Sequence, residues 1–201
     1  GKTTIIKAIL DLMEKEGRKI LLCAPTGRAA KRMEESTGHE ASTVHRLLGY
    51  RPFEEESNFE YDEENPLLAD TVIVDEASML DIFLINVLTG ALHEDTNMIF
   101  VGDMDQLPSV GPGNVLGDLI QSGRIPTFRL QEIYRQAEDS NIVVNAHRIN
   151  RGIKPILNQK GKDFFMMRTR SQQETLRLIG DLVTRRLPAS YGVDPLTDIQ
   201  V

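Results

Sequence analysis

Apolar side chains recur at Ile5, Ile6, Ile9, Leu10 and Met13, the spacing of one face of an amphipathic helix, and Gly17 closes the run. Next, "RKILLCAPTG" sets a short apolar run between basic residues and a Pro-Thr-Gly turn, which predicts a buried strand from Lys19 to Ala24. A helix near Arg28 to Ser36 and a short capped helix from Ser42 or Thr43 in "STVHRLLG" follow. In "TVIVDEASM" a run of β-formers ends in two carboxylates, and "IFLINVLTGAL" reads as a helix. "NMIFVGDMDQLPSVGPG" predicts a strand entering a Gly- and Pro-rich loop, and "NVLGDLI" another helix. Further on, "DFFMM" and "DIQV" predict strands on either side of a helix in "SQQETLRLIGDLVTRRL". The alternation predicts an α/β fold, a parallel sheet flanked by helices.

Composition changes this picture little. Hydrophobic residues make up 40% and charged residues 26% of the 201 positions, ordinary globular values that argue against disorder. No apolar run approaches the roughly 20 residues that span a bilayer, so no membrane partner is expected. The lone Cys23 lies inside a predicted strand and reads as a small core residue, consistent with a reducing, cytoplasmic location. The net charge of -7 argues at first against a nucleic-acid partner. Its distribution reverses that, because "FEEESNFEYDEENP", residues 53–66, holds seven acidic residues and no basic one, and the rest of the chain is balanced. Clusters such as Arg28, Lys31 and Arg32, or Arg185 and Arg186, are solvated helix faces or phosphate contacts.

The chemistry gathers at strand and helix ends. "GKTT" at Gly1, Lys2, Thr3 and Thr4 matches the back half of the phosphate-binding pattern G-x-x-x-x-G-K-[ST] at a helix start. There, unpaired N–H groups and the helix dipole attract phosphate, a lysine reaches terminal phosphates, and a threonine hydroxyl can ligate magnesium. A polar prelude to a helix is the plainer reading of the same residues. Asp75 and Glu76 emerge where an apolar strand ends, so one carboxylate can hold Mg²⁺ and its neighbour can polarise water. Alone they would also fit a strand end with a helix cap; with the GKT helix start they make a Walker A and Walker B pair. Gln106, just beyond the next strand, can hydrogen-bond a γ-phosphate or its attacking water, or simply face solvent in a Gly/Pro loop.

In order, "GKTT", "APTGRAAKRM", "STVHRLL", "VIVDEASM", "GDMDQLPSVGPG" and "LQEIYRQ" resemble the successive motifs of superfamily 1 DNA helicases of the RecD/TraA type, including the exodeoxyribonuclease V alpha subunit. The resemblance runs to about Arg151. It implies a RecA-like P-loop NTPase domain over residues 1–151, beginning inside Walker A and carrying an acidic hairpin or loop at 51–66. Residues 152–201 would then bridge into a second RecA-like domain. The implied activity is ATP-dependent, Mg²⁺-assisted translocation on single-stranded DNA. Lys2 would contact the β- and γ-phosphates, Thr3 and Asp75 the metal, Glu76 would be the general base, Gln106 the γ-phosphate sensor and Arg135 the arginine that steadies transition-state charge. Pro25, Thr26, Thr43 and His45 would touch the single strand.

The resemblance also implies duplex forks and subunits of a nuclease complex as partners, with Phe53, Phe59 and Tyr61 of the acidic stretch as wedge residues or that stretch as a solvated loop. Without the front of Walker A and the later motifs, the chain is expected to be a piece of a longer helicase with little unwinding activity by itself. Two rival classes stay open. One is a P-loop kinase or transferase, which would call for an arginine-rich acceptor lid; the other is a module that binds nucleotide without hydrolysing it.

Overall fold

The computed structural model describes residues 2–52, 59–130, 140–159 and 163–201. The chain packs as two compact units, Gly1–Gln131 and Glu132–Val201. This division by packing falls before the motif-based boundary at residue 151, because the helix preceding that boundary is tied to the loop following it.

The first unit is a four-stranded parallel sheet in the order β2-β1-β3-β4, with β1 at Ile20–Ala24, β2 at Ala41–Thr43, β3 at Thr71–Val74 and β4 at Asn97–Phe100. The side-chain period of two divides the sheet cleanly. On one face Leu22, Ile73 and Ile99 meet Ile6 and Leu10 of helix α1 (Lys2–Lys15) and Met33 of α2 (Gly27–Thr37). On the other, Cys23, Val72, Val74 and Phe100 meet three further helices. These are α3 (Val44–Leu47), α4 (Ile82–Gly90) and α5 (Val115–Gln121), which contribute Val44, Leu84, Leu88, Val115 and Leu116. A sheet with helices on both faces is the expected α/β architecture. Cys23 is fully buried among these side chains, and burial pushes its thiol up to about 12, which suits the core role read from sequence.

Strand β3 is buried throughout because it has sheet neighbours on both sides; β4, paired on one side, is half-buried. The strand missed in the sequence is β2, whose three small polar and apolar residues carry no pattern of their own. Its pairing with β1, Leu22 to Ala41 through Ala24 to Thr43, makes it a strand. Helix starts follow capping chemistry: Thr26 Oγ1 accepts the Ala29 N–H, Thr43 Oγ1 the Arg46 N–H and Asp81 Oδ1 the Leu84 N–H. Gly38, at φ 78°, ends α2 in the left-handed conformation that glycine adopts at little cost.

Residues 53–58 of the acidic stretch, Phe53 among them, lie outside the described residues. From Phe59 to Pro66 the chain forms bends and no strand, so this part is a loop and not one arm of a hairpin. Phe59 and Tyr61 are half-buried against the core rather than displayed as wedges. The cause is local: the N–H groups of Glu60 and Tyr61 both donate to the Leu48 carbonyl at the end of α3, at 3.0 and 3.2 Å.

In the second unit, α6 (Asn141–Asn150) and a helical run of α7 (Gln172–Asp181), a π-helical turn (Leu182–Arg186) and α8 (Leu187–Tyr191) frame an extended connection. The expected strands "DFFMM" and "DIQV" are not strands. Among the described residues the first has no strand to pair with and is held through side chains: Asn158 donates to the Met166 carbonyl and accepts its N–H, at 3.1 and 2.8 Å, and the Asp163 carboxylate accepts the Asn141 and Ile142 N–H groups at 2.6 and 3.2 Å. The second lies in a turn and irregular chain end.

Asn145, fully buried in α6, does the same for Ile156 at 2.7 and 2.6 Å. Asn145→Ala removes both bonds to the Ile156 backbone and empties the buried site of the Asn145 side chain, and is expected to destabilise this unit by about 2 kcal/mol. Hydrogen exchange at the Ile156 amide checks it, and unchanged protection would count against the assignment. Among the described residues no helix is long and apolar enough to cross a membrane.

Candidate active site

Because all four strands run parallel, Ala24, Thr43, Val74 and Phe100 end at one edge of the sheet, and the segments that leave them carry Pro25, Thr26, His45, Asp75, Glu76 and Gln106. In α/β sheets that edge is where ligands bind.

Asp75 follows β3, and its N–H still donates to the Cys23 carbonyl at 2.9 Å, so its backbone is held as an extension of the sheet. One carboxylate oxygen accepts the Glu76 N–H at 2.8 Å. Burial pushes the Asp75 carboxyl above its ordinary value, opposed by that hydrogen bond and by the positive charge of Lys2. Glu76 then takes φ 51° and ψ 39°, a left-handed conformation rare for a residue with a side chain. Such strain persists where surrounding structure enforces it and concentrates at functional sites. The enforcement is visible in the next peptide, where Ala77 donates to the Val101 carbonyl at 2.9 Å.

The turn at Glu76 carries its carboxylate to the start of α1, where Glu76 Oε2 lies 3.3 Å from Lys2 Nζ. The pair is half-exposed, with side-chain exposures of 30% for Lys2 and 21% for Glu76, so both groups remain reachable from solvent. The structure therefore brings Lys2, Asp75 and Glu76 together. Thr3 and Thr4, in the first turn of α1, are exposed, and Gly1 lies outside the described residues.

The donor set is one of hard oxygens: a carboxylate with an oxygen left over after its backbone bond, and an exposed threonine hydroxyl. It fits Mg²⁺, which keeps several waters and takes one or two carboxylates together with substrate phosphates. Among the described residues no group of three or more His, Cys, Asp or Glu is placed to hold a metal ion.

Gln106 sits in the turn beyond β4, exposed, and bonds Asp103: its N–H donates to the Asp103 carbonyl at 3.3 Å and its side-chain amide to the Asp103 carboxylate at 3.5 Å. It is on the correct edge, with no bond to the Lys2 cluster. Gly102, which begins this loop, is packed so closely that a Cβ would lie 2.6 Å from Leu116 and 3.2 Å from the Ser78 backbone nitrogen. Arg135 lies outside the described residues.

The other group of predicted residues is also brought together. Ala24 pairs with Thr43, so Pro25 and Thr26 leave β1 next to Thr43 and His45 leaving β2. Thr26 and Thr43 use their hydroxyls as helix caps, and the His45 ring is exposed. His45 packs edge-on against Tyr50, with centroids 5.4 Å apart, and Tyr50 is 5.1 Å from Phe59. Sequence reading passed over Tyr50, and its only signal was its place beside "STVHRLL".

A family model described as an AAA domain matches residues 1–112. The chain belongs to that family. Its similarity to helicases of the RecD type, expected from the six ordered motifs, is borne out in curated relatives. This AAA-domain chain is 43% identical over 160 residues to the ATP-dependent RecD2 DNA helicase of Deinococcus radiodurans, covering 80% of the chain and 22% of that relative. It is 34% identical over 172 residues to the RecBCD enzyme subunit RecD of Mycolicibacterium smegmatis, covering 74% of the chain and 31% of the relative. The chain thus spans less than a third of the length of these proteins. A crystal structure of Bacteroides Pif1 bound to single-stranded DNA aligns with 90% of the chain and 50% of its own length, at a TM-score of 0.51 and 20% identity. That likeness establishes the RecA-type fold.

Proposed function

We propose that this AAA-domain chain is the ATP-hydrolysing part of a DNA helicase, coupling turnover to translocation along single-stranded DNA. The observation that carries the reading is the convergence of Lys2, Asp75 and Glu76, where the strained turn after a buried strand meets the first turn of a helix. Lys2 binds the β- and γ-phosphates, giving up its contact with Glu76 as phosphate enters. Glu76, so released, accepts the proton of a water that attacks the γ-phosphorus; the bond from phosphorus to the bridging oxygen breaks, and ADP and phosphate leave. Thr3 and Asp75 hold Mg²⁺, which when bound offsets phosphate charge. Gln106 orients the water or the γ-phosphate, and Arg135 stabilises the charge that develops on it.

Pro25, Thr26, Thr43 and His45 form the surface for single-stranded DNA, through backbone positioning rather than base reading. The parent protein works at forks in the cytoplasm, and the RecD relatives, named as subunits of the RecBCD enzyme, support partners in a nuclease complex. Residues 1–151 act as the first motor domain and 152–201 lead toward the second.

The test is ATP hydrolysis with and without single-stranded DNA, by a protein carrying these residues behind a complete phosphate-binding loop. DNA-stimulated turnover that Arg135→Ala lowers by about 100-fold or more supports the reading. Turnover indifferent to DNA would return the assignment to a kinase or transferase, and no turnover to a binding module.

A further inference from the structure

The loop from Gly102 to Gly113 and the segment from Glu76 to Ile82 are joined along their length. At one end Ala77 donates to the Val101 carbonyl at 2.9 Å, and at the other Ile82 donates to the Pro112 carbonyl at 2.9 Å. The first segment begins with Glu76; the second contains Gln106. Between the two backbone bonds the chains meet at two glycines. Gly102 lies against the backbone nitrogens of Ala77 and Ser78, and Gly111 lies so close to the Asp81 carboxylate that a Cβ there would overlap it. Asp81 is half-buried and uses both sides of its carboxylate: Oδ1 accepts the Leu84 N–H at 2.7 Å, and Oδ2 faces Gly111. Ser109 Oγ donates to the Gly111 carbonyl at 2.8 Å and fixes that peptide from within the loop.

We infer that Asp81 is a positioning residue whose contact with Gly111 sets the Gln106 loop against the Glu76 turn, so that the two groups act on one γ-phosphate together. The inference rests on the ATPase reading above and adds to it a residue with no chemistry of its own. Gln106 is otherwise anchored only by its turn to Asp103 and is exposed, so its distance from Glu76 is set by how the loop is seated. The seat has four supports: two backbone bonds that any sequence can make, the approach of Gly102 to the Ala77 and Ser78 nitrogens, and the Asp81 contact. Only the last of these involves a carboxylate, at 81, and it leaves no room for a side chain at 111.

The experiment compares Asp81→Ser, Gly111→Ala and the double variant, in a protein that carries these residues behind a complete phosphate-binding loop. Serine still caps α4, so the helix start survives, but it removes the carboxylate whose Oδ2 faces Gly111. The readout is the ratio of kcat with single-stranded DNA to kcat without it. A loss of folded protein lowers both values and leaves the ratio unchanged. Each single variant is expected to lower the ratio about tenfold with nucleotide affinity within about twofold of the parent. Gly111→Ala is expected to cost somewhat less in the Asp81→Ser background, where the nearest atom it would strike, Oδ2, is gone, although the Cβ of residue 81, 2.7 Å from an added Cβ, remains. An unchanged ratio in both single variants, or full additivity in the double variant, overturns the inference and leaves the ATPase reading intact. A parent protein whose turnover ignores DNA overturns that reading, and the inference with it.

Discussion

Replacing Glu76 by glutamine is expected to lower DNA-stimulated ATP turnover by about 100-fold or more while nucleotide affinity changes little. The amide keeps the size and most of the shape of the carboxylate, so the left-handed turn at φ 51° and the Ala77 bond to Val101 should persist. What disappears is the capacity to accept a proton from water. The 3.3 Å contact with Lys2 loses its charge partner, yet that contact must break in any case when phosphate arrives. The variant therefore separates binding from chemistry. Fluorescent-nucleotide titration and single-turnover hydrolysis, measured on the same preparation, check both halves. Turnover within about threefold of the parent would remove Glu76 from the role of base. Loss of nucleotide binding would instead mean that its carboxylate holds the pocket together.

The same turn shows what could be read from sequence and what could not. The apolar run Thr71 to Val74 announced a buried strand, and the two acids after it announced a catalytic edge, because buried backbone and exposed carboxylate cannot exchange places. The GKT helix start was legible for a similar reason, since Ile6 and Leu10 fix which face of α1 is buried. Strand β2 was not legible. Three residues with no alternation become a strand only when a neighbour supplies the ladder, and that neighbour lies well before it in the chain.

The stretch "DFFMM" failed in the opposite direction. Its composition suits a strand, yet β-propensity measures fit to a sheet surface, and in the second unit the Asn158 amide takes the place of a strand at Met166. Phe59 and Tyr61 read as display aromatics in an acidic, polar stretch. Two backbone bonds to Leu48 draw them onto the core instead. Asp81 was invisible for a further reason: an aspartate before a helix is explained by capping alone, and only the packing of Gly111 reveals its second contact.

Lys2→Ala is expected to weaken nucleotide binding and to cut turnover by about 100-fold, with almost no change in thermal stability. The two halves follow from one geometry. The ammonium lies 3.3 Å from the Glu76 carboxylate, and both side chains keep part of their hydration. A pair of that kind contributes about 1 kcal/mol or less to stability, because the Coulomb gain is offset by the entropy of holding a long side chain. Against a polyphosphate the same ammonium meets several negative oxygens at a helix N-terminus, where the dipole adds to its charge.

A lysine that does little for the fold but much for the ligand is the signature of a binding group rather than of a structural ion pair. Lys2→Arg sharpens the distinction. It keeps the charge and the contact with Glu76, but its planar fork does not reproduce a compact ammonium, so turnover should remain low while the fold is unaffected. If arginine restored full turnover, charge alone would suffice and the proposed contact with the β- and γ-phosphates would be wrong. If both variants unfolded at markedly lower temperature, the contact with Glu76 would be structural, and the site would have to be sought elsewhere on the sheet edge.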